Sequence, residues 1–473
     1  MSDGRFEDYR ASEETSEVVL PLIGRLYRHN DVVLTINGMA LTNLAPNEIL
    51  RMHRRGHWPG GYDVPIAQTA EALPALLALD LAAVELDLGR LLLDFAASGQ
   101  TSVASYVTER CAGLPRLAGR TERVARDVVL YGFGRIGRLL ARLLVAHSGD
   151  TFRLRAIVVR EQGPEDLERR ANLLRRDSVH GAFKGTIRTL PEENALLING
   201  TKVQMIFSGG PEQVDYTQYG IRDALVIDNT GKWRDREGLG KHLLAVGVDK
   251  VILTAPGKGD IPNIVSGIND SAVTPGERIL SAASCTTNAI VPVLKVLHDR
   301  FGIVSGHIET VHAYTNDQNL IDNYHKKTRR GRGAAMNMVI TETGAASAVA
   351  KAVPALKGKL TANAIRVPTP NVSMAILNLR LEKATNKDEL NAFLLDVATT
   401  SHLRAQVGWT AMTDTVSTDM VGETHAGVID AEATIVQGDN IVLYVWYDNE
   451  FGYSCQVVRM LQHTAGVARP YFP

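Results

Sequence analysis

The spacing of apolar residues differs between the beginning of the chain and the remainder. In residues 14–27, apolar side chains such as Val19, Leu22 and Leu26 recur at the spacing of one helix face. The same spacing predicts further helices over residues 46–57, 66–79, 88–97 and 101–111. The pair Asn37-Gly38 is typical of a tight turn, so a small hairpin is an alternative around it. We therefore predict a mostly helical extension over residues 1–112.

A glycine-rich turn follows the first apolar strand after this extension. Residues 127–131 run into Gly132-x-Gly134-x-x-Gly137, an amphipathic helix follows, and residues 154–159 form the next apolar strand. A strand before the glycines and a helix after them is the context of a dinucleotide-binding βαβ unit. Glycines there let the backbone approach a pyrophosphate at the helix N-terminus. The pattern predicts a dinucleotide site.

Cys285 stands where a predicted strand passes into a predicted helix. The apolar residues that follow it repeat at helical spacing, and Gly302 marks the end of that helix. Free amide groups and the positive end of the helix dipole are expected to lower the pKa of a thiol at this position. Ser284, Thr286 and Thr287 add hydroxyl donors for an anion. A reactive thiol is predicted, and a small buried core cysteine is the alternative.

His312 lies in a later strand and is the candidate base. Alternation places it on the same face as Thr310 and Tyr314. A cysteine with a histidine is the minimal activated-nucleophile pair. Whether His312 meets Cys285 stays open at this point, because a strand histidine can also have a purely structural role.

Taken together, these motifs resemble those of phosphorylating glyceraldehyde-3-phosphate dehydrogenases. The resemblance runs from about residue 128 to residue 467, and residues before about 125 match no part of the ordinary enzyme. The matching phrases, in order, are Gly132-Phe-Gly-Arg-Ile-Gly-Arg138, Ser284-Cys-Thr-Thr-Asn288, His312-Ala-Tyr-Thr-Asn-Asp-Gln318, Arg366-Val-Pro-Thr-Pro-Asn-Val372 and Trp446-Tyr-Asp-Asn-Glu450.

The resemblance implies an α/β architecture and a division of the chain. We expect a Rossmann dinucleotide-binding domain over residues 126–284, completed by a C-terminal helix over residues 449–473. An α+β catalytic domain with a mixed or antiparallel sheet is expected over residues 285–448. Residues 113–125, which contain glycine and arginine, are predicted to be a linker after the helical extension. The resemblance also implies a homotetramer.

The resemblance further implies roles for individual residues. Cys285 is expected to form a thioester with glyceraldehyde 3-phosphate, and His312 to act as its base. Candidates for the attacking inorganic phosphate are Ser284, Thr286 and Thr343, and candidates for the substrate phosphate are Thr315, Asp317 and Arg366, with Arg330 able to serve either. Candidates for cofactor binding are Gly132, Phe133, Gly134, Arg135, Ile136, Gly137, Thr230, Gly231 and Asn449, the last for the nicotinamide carboxamide.

Departures from the family concern the cofactor. Where NAD-specific members carry an aspartate after the second strand, this chain has Arg160-Glu161. Arg160 offers a cation for a 2′-phosphate, whereas Glu161 is still able to reach a ribose. Asn323-Tyr324 replaces a Leu-Pro pair of many NAD-specific relatives, and Tyr131 replaces an asparagine. We therefore expect NAD or NADP as cofactor, without assigning the preference.

Composition limits which binding partners and which cellular compartment are expected for the protein. The chain has 473 residues, a net charge of −1 and three cysteines, so neither nucleic-acid binding nor a disulfide framework is expected. The polar N-terminus does not resemble a signal peptide, and the apolar stretch 73–93 is interrupted by acidic residues. We expect a cytoplasmic protein with no membrane span and no metal. The basic run 326–332 is expected to be either a solvated loop or, in an enzyme that handles phosphate, a loop that delivers one guanidinium to a phosphate and places the others at a subunit contact.

Two other functions are kept as alternatives. The phrase Ile321-Asp-Asn-Tyr-His325 is similar to related erythrose-4-phosphate dehydrogenases, whereas residues 341–347 keep the triose-type phrase. The long extension also allows a binding or regulatory protein with a vestigial active site. The joint presence of Cys285, His312, Arg330 and Arg366 favours an enzyme.

Overall fold

The chain forms two compact units. The computed structural model describes residues 4–36, 38–54, 62–119, 125–147 and 151–472. Residues 1–124 with 467–473 form one unit, here called the terminal unit, and residues 125–466 form the main unit. Within the described ranges, no helix has both the length and the apolar character needed to cross a membrane.

Each helix predicted for the extension is present in the terminal unit. The first begins earlier than predicted, because its exposed first turns carry no apolar face that periodicity could reveal. The second ends at His53, and predicted residues 55–57 lie outside the described part of the chain. The elements are α1 (Gly4–Asn30), β1 (Val33–Ile36), β2 (Met39–Ala40), α2 (Pro46–His53), α3 (Ile66–Ala78), β3 (Glu85–Asp87), α4 (Leu88–Ser98) and α5 (Val103–Arg110).

A small sheet accompanies the helices of the extension, which is mostly helical as predicted. β1 and β2 pair antiparallel, which confirms the hairpin alternative, although Asn37 itself lies outside the described residues. β3 runs parallel to β1. These strands are only two to four residues long, so they contain too few alternating positions to be recognised in the sequence.

The beginning of the predicted linker is folded into the terminal unit. Leu114 packs against the core of this unit, and Arg116 forms an isolated bridge with Leu81. The Arg116 Nη2 also donates to the Ala112 carbonyl over 2.9 Å. Residues 120–124 lie outside the described residues. The prediction of a linker over 113–125 is therefore wrong for residues 113–119. This segment has no apolar periodicity that would predict folding, and tertiary contacts hold it in the terminal unit.

The first half of the main unit is a Rossmann-type sheet with helices. Its order is β11-β10-β9-β4-β5-β8-β7-β6, and β4 is parallel to both of its neighbours. The chain leaves β4 first to one side and later to the other, which creates the crevice used by dinucleotides. The elements are β4 (Arg126–Tyr131), α6 (Arg135–His147), β5 (Phe152–Val159), α7 (Asp166–Arg175), β6 (Ile187–Leu190), β7 (Ala195–Ile198), β8 (Thr201–Phe207), β9 (Ala224–Asp228), α8 (Arg236–Gly240), β10 (Val248–Leu253) and β11 (Ile279–Ser281).

The second half of the main unit is a mixed sheet packed against helices. The order is β13-β14-β12-β15-β19-β17-β16, with β18 on β19, and only β12–β14 and β16–β17 are parallel pairs. The elements are α9 (Cys285–Phe301), β12 (Ile303–Ala313), β13 (Val339–Thr341), α10 (Ala345–Ala352), β14 (Leu360–Val367), β15 (Ser373–Leu381), α11 (Lys387–Thr400), β16 (Val407–Thr410), β17 (Gly427–Asp430), β18 (Ile435–Gln437), β19 (Asn440–Tyr447) and α12 (Phe451–Thr464). The predicted fold class is confirmed.

The end of the chain departs from the prediction that 449–473 completes the cofactor domain. α12 does pack against α6, but it ends at Thr464. Residues 467–473 belong to the terminal unit, where β20 (Tyr471–Phe472) pairs parallel with β3. The order of that sheet is β2-β1-β3-β20. A two-residue strand that needs a partner from the other end of the chain leaves no local signal in the sequence.

Candidate active site

Cys285 is the first residue of α9, as its sequence context predicts. The Ser284 hydroxyl caps the helix by accepting from the Thr287 amide over 3.0 Å. Ala283 adopts a left-handed backbone with φ of 54°, which turns the chain sharply from β11 into the helix. Gly302 ends the helix with φ of 70°. The thiol is therefore held at a capped helix start.

His312 approaches this thiol from β12. Its Nε2 lies 3.6 Å from the Cys285 Sγ, and its Nδ1 lies 2.7 Å from the Ala313 carbonyl oxygen. An Nδ1–H that donates to the carbonyl leaves the Nε2 lone pair facing the thiol. The Arg366 Nη1 donates to the same carbonyl over 2.9 Å. This tautomer is the one that a base for the thiol requires.

The protonation of the pair differs from the sequence prediction. Burial raises the pKa of Cys285, and this effect exceeds the opposing influence of the Arg366 cation and the Thr286 hydrogen bond. Burial lowers the pKa of His312 to about 3, and the Arg366 charge acts in the same direction. Desolvation therefore overrides the helix dipole. Burial therefore favours the neutral thiol and the neutral imidazole.

The phosphate candidates fall into two groups. Arg366 joins the Cys285–His312 pair, with its Nη1 3.1 Å from His312 Nδ1 and 3.4 Å from the Thr315 hydroxyl. Arg330 forms an ion pair with Asp317, and its Nη2 donates to the Thr341 hydroxyl over 2.8 Å.

The hydroxyl candidates lie around these groups. The Thr286 hydroxyl is 2.9 Å from the Tyr447 hydroxyl and lies beside Cys285. Thr343 accepts from the Ala345 amide at the start of α10 over 3.2 Å. In the described part of the chain, no hydrogen bond joins Thr343 to Arg330 or Arg366. The contacts therefore connect Thr286 to the thiol, and Arg366 with Thr315 to His312, whereas the Thr343 contact lies at the start of α10.

A cavity of about 230 Å³ lies at the carboxyl ends of β4, β5, β8 and β9. Gly132 has φ of 95°, and a Cβ on Gly137 would lie 2.5 Å from the Gly132 carbonyl oxygen. A Cβ on Gly134 would meet nothing within 4 Å, so the backbone there is open toward the cavity. The cavity is lined by Tyr131, Gly132, Phe133, Gly134, Val158, Val159, Arg160, Gln162, Arg170, Ser208, Gly209 and Thr230. A glycine cradle at a helix start fits a dinucleotide.

The remaining candidates for cofactor binding differ in whether their side chains are available to a ligand. Arg135 does not offer a free guanidinium, because its Nε donates to Glu450 over 2.6 Å and its Nη1 to Asp177 over 3.0 Å. Thr230 donates its amide and its hydroxyl to Asp228, each over 2.7 Å, and Gly231 follows with φ of 61°. Ile136 is half-buried in the first turn of α6. Arg135 and Ile136 can therefore contribute to a cofactor site mainly through their backbone.

Within the described ranges, no three His, Cys, Asp or Glu side chains converge as a metal site would require.

Comparison with protein families assigns both halves of the main unit. Residues 126–236 match the glyceraldehyde 3-phosphate dehydrogenase NAD binding domain, and residues 284–449 match the C-terminal domain of the same enzyme. The chain belongs to the glyceraldehyde-3-phosphate dehydrogenase family. This family consists of NAD-dependent oxidoreductases, and the match extends over the cavity and over the Cys285–His312 pair.

Individual relatives differ in how much of the chain they cover. A glyceraldehyde-3-phosphate dehydrogenase-like protein of Pseudomonas aeruginosa is 57% identical over 463 residues, 96% of this chain and 100% of that protein. Chloroplastic glyceraldehyde-3-phosphate dehydrogenase A of Zea mays is 41% identical over 350 residues, 73% of this chain and 84% of its own. Glyceraldehyde-3-phosphate dehydrogenase 2 of Trichormus variabilis is 39% identical over 340 residues, 72% and 98% respectively. The Pseudomonas relative therefore also matches most of the extension.

Sequence reasoning missed several residues of this candidate site. Ser208 and Arg170 line the cavity, and Tyr447 and Ser373 lie beside Thr286 and Asn449. Tyr447 stands inside the phrase Trp446-Tyr-Asp-Asn-Glu450, so that phrase could have revealed it. The other three carry no local signal, because tertiary packing alone brings them to the site.

Proposed function

We propose that this chain is a phosphorylating glyceraldehyde-3-phosphate dehydrogenase, which oxidises an aldose phosphate to an acyl phosphate through a thioester on Cys285. The observation that carries this proposal is the 3.6 Å separation of Cys285 Sγ and His312 Nε2. The second imidazole nitrogen is tied to the Ala313 carbonyl. The base is therefore oriented toward the nucleophile, as acyl transfer requires.

The first step is addition of Cys285 to the aldehyde. The sulfur forms a bond to the carbonyl carbon while its proton passes to His312 Nε2, and His312 passes that proton on to the carbonyl oxygen, which becomes the hydroxyl of a thiohemiacetal and leaves the imidazole neutral. His312 then accepts that hydroxyl proton as the carbon loses a hydride and becomes a thioester. A bound nicotinamide cofactor supplies the hydride acceptor.

The second step is phosphorolysis of the thioester. An oxygen of inorganic phosphate attacks the thioester carbon, the carbon–sulfur bond breaks, and the departing sulfur recovers a proton from His312. The product is an acyl phosphate. The Thr286 hydroxyl beside the sulfur and the Ser284 hydroxyl of the helix cap are proposed to hold the attacking phosphate together with Thr343.

The cations of the site are proposed to hold the substrate phosphate. Arg366 lies against His312 and Thr315, and Arg330 lies close enough to lower the pKa of His312 through its charge. A guanidinium binds phosphate through paired hydrogen bonds. We propose that Arg366 and Thr315 contact the substrate phosphate directly. The ion pair with Asp317 orients Arg330 nearby.

The cavity is proposed to bind the adenosine half of NAD or NADP. Gly132, Gly134 and the start of α6 would hold the pyrophosphate, and Arg160 with Ser208 would lie near a 2′-phosphate. Asn449 is proposed to hold the nicotinamide carboxamide. Because the exposed Arg160 takes the place of a ribose-binding carboxylate, we propose that NADP is accepted as well as NAD.

We propose assembly into a homotetramer. The segment 319–340 exposes large apolar side chains in the single chain, although monomeric surfaces rarely gather so many. Their exposed fractions are 78% for Leu320, 76% for Ile321, 90% for Tyr324, 87% for Met336 and 77% for Met338. A neighbouring subunit would cover this segment.

We also propose a cytoplasmic location and a role in glycolysis or gluconeogenesis. Cys111, Cys285 and Cys455 are free thiols. The proposed chemistry requires the Cys285 sulfur in its reduced form, which a reducing compartment maintains.

A steady-state assay tests the function. Glyceraldehyde 3-phosphate and erythrose 4-phosphate are each compared with NAD and NADP, with and without inorganic phosphate. We expect phosphate-dependent cofactor reduction with the triose phosphate, lost in Cys285→Ala and retained in the control Cys455→Ala, which removes a buried thiol of α12. A preference for the tetrose phosphate would identify the alternative enzyme. Absence of turnover with every combination would support the vestigial-site alternative.

A further inference from the structure

Ser373 is a buried hydroxyl at the meeting point of several site elements. It begins β15, is 1% exposed and lies opposite Tyr447 of β19. Its Oγ is 3.1 Å from the Ala313 amide of β12 and 2.9 Å from Asn449 Oδ1. A single side chain thus touches the strand of His312 and the residue proposed for the nicotinamide.

The valence of a hydroxyl determines the direction of these hydrogen bonds. A serine oxygen donates one proton and accepts two. The Ala313 N–H occupies one acceptor position of Ser373. Because a carboxamide oxygen can only accept, the one Ser373 proton goes to Asn449 Oδ1.

This arrangement fixes the orientation of the Asn449 amide. Because Oδ1 accepts from Ser373, the Nδ2 group is directed elsewhere as a donor, which suits the carbonyl oxygen of a carboxamide. The same residue, Ala313, donates its N–H to Ser373 and accepts from His312 Nδ1 through its carbonyl. One hydroxyl therefore constrains both the Asn449 amide and the backbone of the residue whose carbonyl sets the His312 tautomer.

We propose that Ser373 is a positioning residue that couples the nicotinamide subsite at Asn449 to the His312 base. The inference rests on the proposed function for the role of Asn449. Without the hydroxyl, Asn449 Oδ1 loses the hydrogen bond that it accepts from β15, so the amide can turn over, and the Ala313 amide loses a buried partner.

The test measures cofactor binding in the absence of aldehyde and phosphate. The dissociation constants of NAD and NADP are measured by fluorescence titration of the full chain for wild type, Ser373→Ala, Asn449→Asp and the double variant. Thr310→Val is the matched control, because it removes a buried hydroxyl of β12 that has no hydrogen-bond partner among the described residues. We expect Ser373→Ala to weaken binding about tenfold, and Thr310→Val to leave it unchanged.

The double variant distinguishes a positioning role of Ser373 from a general destabilisation of the protein. If Ser373 acts through the Asn449 amide, the double variant binds no more weakly than Asn449→Asp alone. The proposal would be overturned if the fold-losses of cofactor affinity in the two single variants multiplied in the double variant. Unchanged cofactor binding in Ser373→Ala would also overturn it. If Ser373→Ala does not fold, Ser373→Cys replaces it in the same cycle, because a thiol is of similar size but donates poorly.

The two proposals fail in different experiments. A protein that binds the cofactor with the expected coupling but does not oxidise an aldose phosphate would contradict the proposed function alone. A protein that turns over normally but shows no coupling between Ser373 and Asn449 would contradict this inference alone.

Discussion

The guanidinium of Arg469 forms a buried ion pair with the carboxylate of Asp31, with Nη2 2.5 Å from Oδ1. Both side chains are less than 10% exposed, at 8% and 7%. The Tyr471 hydroxyl donates to Asp87 over 3.2 Å, and Phe472 packs against the core of the terminal unit. The end of the chain is therefore a structural part of the terminal unit rather than an appendage of the main unit.

Loss of this ion pair is expected to destabilise the terminal unit. Arg469→Ala leaves Asp31 buried without its cation, which typically costs about 3–5 kcal/mol. Arg90→Ala, which breaks an exposed pair with Asp94 in the same unit, should cost less than about 1 kcal/mol. Hydrogen exchange of the amides of β3 measures the effect. Equal protection of β3 in the two variants would show that the last strand does not depend on Arg469.

The reactivity of Cys285 is expected to rise steeply with pH. Because burial raises its pKa above the ordinary value of 9.0, the thiolate fraction is small at neutral pH and increases through the alkaline range. His312, with a pKa of about 3, carries no charge there that could stabilise the thiolate. The rate of Cys285 alkylation by iodoacetamide, measured by mass spectrometry from about pH 6 to about pH 10, checks this. A plateau already reached near neutral pH would indicate a thiolate–imidazolium pair instead.

Arg160 is expected to discriminate between the two cofactors. Arg160→Ala should weaken NADP binding about 10-fold to 100-fold, because a charged hydrogen bond to phosphate is lost, and NAD binding much less. Arg169→Ala on α7 is the control, since this exposed arginine pairs with Glu165 and does not line the cavity. Dissociation constants for both cofactors provide the measurement. An equal loss of affinity for NAD and NADP would show that Arg160 does not recognise the 2′-phosphate.

His53 is expected to make the terminal unit sensitive to acid. It is 1% exposed, its Nδ1 contacts the Ile49 carbonyl, and its Nε2 contacts the Thr69 hydroxyl. Burial lowers its pKa below 6.5, so the unfolded chain binds more protons as the pH falls through 6.5, and stability declines. His53→Gln removes this titration. The free energy of urea unfolding should therefore depend less on pH in the variant between about pH 7 and about pH 5. Parallel pH dependences in both proteins would contradict this assignment.

The sequence by itself determined the features that depend on neighbours along the chain. The turn through Gly132 and Gly137, the capped helix start at Cys285 and the strand position of His312 each follow from a short run of residues. Their local patterns are sufficient because glycine conformations, caps and strand alternation involve interactions over only a few positions.

The tertiary structure alone decided which of these features meet and in what environment. The Cys285–His312 distance, the Ser373 hydrogen bonds and the pairing of β20 with β3 join residues far apart in the chain. The sequence predicted a lowered pKa for Cys285, whereas burial raises it. The helix start can be recognised in the sequence, but the desolvation of the thiol cannot. Desolvation depends on all the atoms that surround a group, and those atoms are supplied by segments that no local pattern identifies.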